Sequence, residues 1–336
     1  MDLAGNLHTL QVVVVIIIGI LILISNMATI VAFLKVRGLR QKPSNLLILN
    51  LSCADFGVGL IQFYEIPLAA NKPRPYDKFG CQLVVFLANM FVSAGMLTTV
   101  SISIDRFLLL SREYPKYLRI QSRKRIMCII GGIWLYGILL GTIEVLLWDM
   151  LTPTALHDYF DYSQDCRSPP KHNLVFALVF FITAIFGPLL TIESFSLAFV
   201  VRLIQKLRQP MVHPSSNANT SSQNENPSQN PNRSAAGPSS SSNVPMAHRP
   251  EADANKRYKK AAILLGAIVL TVNICTLPYV LYIIITNVFC PQCNKAYYRD
   301  ILRYWLYLNS CINPFLYAAT VVKIRRYYKR TLCNSR

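Results

Sequence analysis

Asp55 sits mid-way along an apolar run, Ser44–Ala69. An ionisable group at such a depth is costly and marks a functional site by default. Asn309 and Asn313 stand four residues apart on another run, hence on one helical face, with Ser310 between them. Asn26 lies half-way down a third. With Asp55 they form a polar cluster suited either to a sodium ion or to interhelical hydrogen bonds and water, and the sequence leaves both readings open. Asp105-Arg106-Phe107 closes a further apolar run. An arginine there alone would snorkel to the interface; an acid beside it allows an ion pair or a proton-linked switch. Cys290-Pro291-Gln292-Cys293 suits a small loop disulfide, whereas one zinc half-site would lack histidine partners. Cys53, Cys128, Cys275 and Cys311 read as buried thiols.

The elements that must carry these residues follow from composition. Of 336 residues 53% are hydrophobic and only 15% charged, too few charges for an ordinary soluble chain. A membrane helix needs about 20 mostly apolar residues. Seven stretches reach that length: Leu10–Leu34, Ser44–Ala69, Gln82–Leu110, Met127–Leu147, Leu174–Ile204, Ala261–Val288 and Ile301–Val322. The expected fold class is therefore all-α, an integral membrane bundle of seven transmembrane helices. The first run lacks a basic n-region and a small-residue cleavage site, so it reads as a retained span rather than a signal peptide.

The net charge of +18 is mostly a topology signal. Lys35, Arg37, Arg40 and Lys42 crowd the first connection. Arg112, Lys116, Arg119, Arg123, Lys124 and Arg125 crowd the third, and Lys323, Arg325, Arg326, Lys329 and Arg330 follow the seventh span. The fourth-to-fifth connection is instead acidic, with Asp149, Asp158, Asp161 and Asp165. The excess of base inside places the N-terminus outside and the C-terminus inside, with the second-to-third connection (Lys72, Arg74, Lys78) an exception. No nucleic-acid partner is expected.

The chain then divides into an external N-terminus (1–9), spans one to five (10–206), a disordered cytoplasmic loop (207–256), spans six and seven (257–322) and a tail (323–336). Pro214–Pro245 holds ten Ser, seven Asn and five Pro in 32 residues, which cannot bury a core. Cys81 precedes Arg106 by 25 residues, about 37 Å of helix, so the two lie at opposite membrane faces. Cys81 and Cys166 then share the oxidising side, and a disulfide between them is expected. In Lys323–Cys333, apolar Ile324, Tyr327, Tyr328 and Leu332 interleave with base, the pattern of a short amphipathic helix on the membrane surface. Cys333 at its end is a site for S-palmitoylation.

In order and spacing these residues resemble the rhodopsin-like G-protein-coupled receptors. The resemblance rests on Asn26, Leu51-Ser52-Cys53-Ala54-Asp55, Cys81, Asp105-Arg106-Phe107, Trp134, Pro188, Cys275-Thr276-Leu277-Pro278 and Asn309-Ser310-Cys311-Ile312-Asn313-Pro314-Phe315-Leu316-Tyr317. It covers all but the polar loop. It implies a plasma-membrane protein and not an enzyme, with a ligand pocket in the outer bundle. It also implies a switch through Asp105, Arg106, Pro278, Asn313, Pro314 and Tyr317 that opens a cytoplasmic crevice to a heterotrimeric G protein. Arrestin, receptor kinases and membrane lipid are further implied partners. No resident cofactor is expected beyond sodium at Asp55.

The chain departs from that pattern at Thr276, Val272, Ser196, Met96, Phe107 and Tyr258. Tyr258 replaces an acid that often pairs with the arginine, and basal activity is expected from its loss. The Cys-x-x-Cys pair, the short N-terminus and Tyr304-Trp305-Leu306-Tyr307 are similar to biogenic-amine receptors of muscarinic and histamine type. Where those receptors bind the ammonium with aspartate, this chain has Ala88 followed by Asn89. Glu65 and Glu144 are alternative carboxylates, and Thr276, Tyr304 and Tyr307 complete the candidate pocket. No Lys occurs in the seventh apolar segment, where an opsin needs one for retinal. The expected function is a receptor for a small, amine-like molecule. A peptide-binding or constitutively active receptor of the same family is the alternative. A transporter is the rival from another class, disfavoured by the absence of visible internal repeats.

Overall fold

The computed structural model describes residues 3–65, 77–151, 174–208, 249–290, Cys293 and 296–333. Among them the regular elements are all helical. The long helices are α1 (Leu3–Lys35), α2 (Pro43–Gln62), α3 (Lys78–Ser111), α4 (Arg123–Leu146), α5 (Leu174–Phe181 and Gly187–Arg208, joined by a π turn, Ile182–Phe186), α6 (Arg249–Ile284, closed by a π turn, Ile285–Phe289), α7 (Ala296–Thr320) and α8 (Val322–Cys333). Local chemistry starts several of them. Pro43 opens α2, where its missing N–H is not needed. Asp77 and Ser122 cap α3 and α4 by accepting from the N–H groups of Gly80 and Arg125.

Two helices reach at least seven residues beyond the apolar runs. α1 starts at Leu3, inside the segment expected to be external, and α6 starts at Arg249, inside the expected loop. Pro250, in the first turn of α6, fits a helix start there. The polar stretch Pro214–Pro245 lies outside the described residues.

Among the described residues, six helices are long and apolar enough to cross a membrane: Thr9–Lys35, Pro43–Gln62, Lys78–Ser111, Arg123–Leu146, Leu178–Lys206 and Gly266–Ile284. α7 is not among them, because Arg299, Asp300, Arg303, Asn309, Asn313 and several tyrosines lower its apolarity. It packs between α1, α2 and α6. The outer surface is apolar in the manner of a lipid-facing protein: Ile17, Leu135 and Leu270 are 51%, 57% and 60% exposed. α3 is the central helix, in contact with α2, α4, α5 and α6. Burial against lipid-soluble neighbours gives no hydrophobic gain, so close van der Waals packing decides. Gly137 and Gly141 bring α4 against α3, where a Cβ would stand 2.8 Å from Met90 O and 2.7 Å from the Phe86 ring. The main apolar core lies toward the Arg106 end and includes Leu47, Leu51, Ile102, Ile268, Val272 and Tyr317.

Proline inside a membrane helix strips a carbonyl one turn earlier of its donor. Three such carbonyls are each satisfied from a neighbouring helix. Pro314 on α7 frees Ser310 O, which accepts from Asn26 Nδ2 of α1 at 3.0 Å. Pro278 on α6 frees Ile274 O, which accepts from Trp305 Nε1 of α7 at 2.8 Å. On α5 the π register would aim the N–H of residue 188 at Thr183 O. Proline stands there, and Tyr136 Oη of α4 donates instead at 3.0 Å. Trp305→Phe should therefore orphan Ile274 O and lower stability by about 1–3 kcal/mol. In a Pro278→Ala background the new N–H takes over, and the same substitution should cost much less. Thermal unfolding of the four proteins of that cycle measures the difference; equal losses in both backgrounds would show that Trp305 acts by packing alone.

α8 turns off α7 after Val321 and lies beside α1. Lys323 Nζ donates to Gly38 O at 3.1 Å, and Tyr328 Oη shares a 2.8 Å hydrogen bond with Thr29 Oγ1. Ile324 is fully buried, while Lys323, Arg325, Arg326, Lys329 and Arg330 are exposed. Cys333 is its last residue.

Candidate functional site

The polar cluster assembles where α1, α2 and α7 meet. Asp55 is buried and accepts two hydrogen bonds, from Ser310 Oγ at 2.7 Å and from Asn313 Nδ2 at 2.9 Å. The spacing of Ser310 and Asn313, three residues apart on α7, turns both toward α2. Asn26 does not bond to the carboxylate; it holds the Ser310 backbone and its own helix at Ile22 O. Asn309 Oδ1 is buried without a hydrogen-bond partner. The fully buried Tyr317 stands one turn beyond Asn313. Donor protons and carboxylate oxygens thus tie α7 to α2 and α1 in one network.

At the Arg106 end, a guanidinium nitrogen of Arg106 approaches Asp105 Oδ2 at 3.6 Å. The other carboxylate oxygen of Asp105 accepts from Tyr117 Oη at 3.0 Å, and Tyr117 is itself in hydrogen-bond contact with Ser44 Oγ at 3.1 Å. Tyr117 belongs to a short helix, Tyr114–Ile120, between α3 and α4. Burial, and then the neighbouring Asp105 charge, push its phenol well above the usual range. It is therefore a donor at any physiological pH. Asp105 is shared between an arginine and a tyrosine, which leaves Arg106 held by one long contact. Phe107 packs edge-on against Phe195 of α5, with ring centroids 5.6 Å apart. No local spacing links Tyr117 or Ser44 to Asp105, so no sequence motif marks this pairing.

Toward the Cys81 end, Asn89 of α3 donates to Glu144 Oε2 of α4 at 2.5 Å. Two candidates for the ligand pocket therefore meet across the α3–α4 contact, with Ala88 beside them and Glu144 fully buried. Thr276 and Tyr304 are buried, and Tyr304 and Tyr307 pack against Val12 and Val15 of α1. Glu65 ends a 3-10 turn after α2. Cys81 is disulfide-bonded, and Cys166 lies outside the described residues. Cys290 and Cys293 are joined to each other. A further polar contact that the motifs did not flag joins α5 to α6: Asn273 Nδ2 donates to Glu193 Oε1 at 2.6 Å. Trp134 Nε1 donates to Asn50, which donates to Thr98, so α4, α2 and α3 are linked through one asparagine.

A profile described as 7 transmembrane receptor (rhodopsin family) matches residues 25–317, from the residue before Asn26 to Tyr317. The chain belongs to the rhodopsin family of seven-transmembrane receptors. That makes α7, polar as it is, the seventh span of a multi-pass plasma-membrane receptor rather than an enzyme. The receptor is 28% identical to melanopsin of Rattus norvegicus over 214 residues, 61% of this chain and 42% of that protein. It is 26% identical to melanopsin of Homo sapiens over 214 residues, again 61% and 42%. The octopamine receptor beta-2R of Chilo suppressalis is 24% identical over 330 residues, 96% of this chain and 79% of that protein. The chain thus spans less than half the length of these melanopsins.

Proposed function

We propose that this receptor binds a small extracellular molecule between the Cys81 ends of its helices and activates a heterotrimeric G protein at the Arg106 end. The observation that carries the reading is the setting of Arg106. It is largely buried, with 13% of its side chain exposed, yet it is tied to Asp105 by a single 3.6 Å contact. An arginine so loosely held can leave its acid when a partner enters. The charge distribution, with base at the Arg106 end, supports placing that end in the cytoplasm. Arrestin and receptor kinases would use the same face.

The ligand reading is amine-like. The octopamine receptor, aligned over nearly the whole chain, is named for an amine. The nearest carboxylate in the α3–α4 wall is Glu144, bridged to Asn89, in place of the aspartate missing at Ala88. The melanopsin relatives do not favour a retinal pocket here, because α7 contains no lysine. The Asp55 cluster suits a sodium ion: the carboxylate and Ser310 Oγ supply oxygens, and Asn309 Oδ1 on the same helix is buried without a hydrogen-bond partner.

Arg106→Ala tests the G-protein reading. In cells matched for surface receptor, nucleotide exchange should fall from a measurable basal level to that of cells without receptor. Losing even one ion pair of about 1 kcal/mol shifts such an equilibrium several-fold, so basal activity of the parent is expected. Equal coupling by both proteins would overturn the reading.

A further inference from the structure

The lipid-facing side of α3, α4 and α5 is not flush. A cavity of about 560 Å³ opens there, bounded by Leu97 and Val100 of α3, Ile129 and Ile133 of α4, and Ile182 and Pro188 of α5. All three walls lie within helices long and apolar enough to cross the membrane. Two backbone features shape it. Gly132 lines it without a side chain, and nothing stands within 4 Å of where its Cβ would be. The π turn Ile182–Phe186 and the Gly187–Pro188 pair interrupt the regular surface of α5 beside it.

Four hydroxyls border the cavity, and every one donates to a backbone carbonyl. Ser101 donates to Leu97 O at 2.8 Å, Thr183 to Val179 O at 2.8 Å and Thr191 to Gly187 O at 2.8 Å. Tyr136 donates to Thr183 O at 3.0 Å, the bond that proline 188 makes necessary. No hydroxyl proton is left to recognise a polar ligand. What remains is a concave apolar wall on three sides, of a size within the range of about 300–1,000 Å³ that specific ligand sites occupy. An unfilled recess forfeits dispersion contacts along its whole lining. The medium outside is hydrocarbon, so the group that restores those contacts is a hydrocarbon chain.

We infer that this recess is a specific seat for one acyl chain of a membrane phospholipid, distinct from the lipid that covers the rest of the bundle. A chain held on three sides exchanges more slowly than its neighbours on the convex surface. It also packs directly on Pro188 and on the helix turn whose carbonyl Tyr136 caps, so it bears on the one place where α5 leaves the α register. This site is independent of any ligand or G protein.

The test uses the full-length receptor in phosphatidylcholine vesicles containing a small fraction of phospholipid with a diazirine on one acyl chain. After illumination, labelled peptides are located by mass spectrometry. Label should concentrate on 97–101, 129–136 and 182–191, well above its level on the rest of the lipid-facing surface. Gly132→Trp should fill the recess and reduce labelling there to the level of the surrounding surface. Gly131→Trp, which also meets nothing within 4 Å at Cβ but does not line the recess, should leave it unchanged. If the tryptophan variant fails to fold, Gly132→Leu serves in its place, and the wild-type distribution alone already decides. Labelling spread evenly round the spans, or persisting in a folded Gly132 variant, would overturn the seat. A free fatty acid carrying the same diazirine is the second arm; stronger labelling from it at equal chain fraction would overturn the assignment to phospholipid.

Discussion

Asp55→Ala is expected to remove roughly 2–6 kcal/mol of stability, because it leaves the Ser310 hydroxyl and the Asn313 amide without their acceptor, each an orphan worth about 1–3 kcal/mol. Both donors are buried. Asp55→Asn should lose about half as much, since its amide oxygen still accepts one of the two hydrogen bonds. Thermal unfolding of the purified receptor in a mild detergent reads the series. If alanine melts with the wild type, the cluster contributes nothing to holding α7, and the network from Asn26 to Asn313 loses its structural role. The prediction concerns the helix contacts alone and holds whether or not sodium binds.

Gly137→Leu should leave little folded receptor. Its Cβ would stand 2.8 Å from Met90 O and 3.2 Å from Met90 Cα, both backbone atoms of α3 that no rotamer change can move. Overpacking of this kind costs typically about 1–3 kcal/mol. Here the relief is a separation of α4 from α3, which also stretches the Trp134–Asn50 and Asn89–Glu144 hydrogen bonds. Gly131→Leu is the matched control, with nothing within 4 Å of its Cβ, and should change stability by less than about 0.5 kcal/mol. Fluorescence-detected size exclusion on both variants measures the folded fraction. A monodisperse Gly137→Leu peak as large as the control's would mean that α4 can slide freely on α3.

The seven spans are legible in the sequence because lipid requires long apolar runs, and a run of 20 or so residues leaves little ambiguity about type. The meeting of Asp55 with Ser310 and Asn313 is legible for the converse reason: a polar group at membrane depth must find another, and few are on offer. The support of Asp105 by Tyr117 is not legible. It depends on how the chain turns at Glu113–Pro115 to bring a short helix back under α3, and nothing in the spacing from Asp105 to Tyr117 encodes that turn. The prolines are visible as helix breakers, but the donors that answer them are not. Tyr136 and Trp305 read, in sequence, as ordinary aromatic residues of a membrane helix. Only the three-dimensional register shows that each lies over a carbonyl that proline has released. The π turn of α5 is silent for the same reason, since an i to i−5 hydrogen bond leaves no residue pattern.

The polarity of α7 has a consequence for biosynthesis. A segment with Arg299, Asp300, Arg303, Asn309 and Asn313 partitions weakly into a bilayer on its own merits. Its entry must be assisted by surfaces already in place: the Asp55 carboxylate on α2, Asn26 on α1 and the Ile274 carbonyl on α6 each offer it a polar partner. The seventh span is thus the one least able to stay in lipid unaided, and its retention reports on the six that precede it. A misassembled bundle would present a helix that slips back toward water, a form that quality-control machinery can recognise without reading the receptor's activity at all.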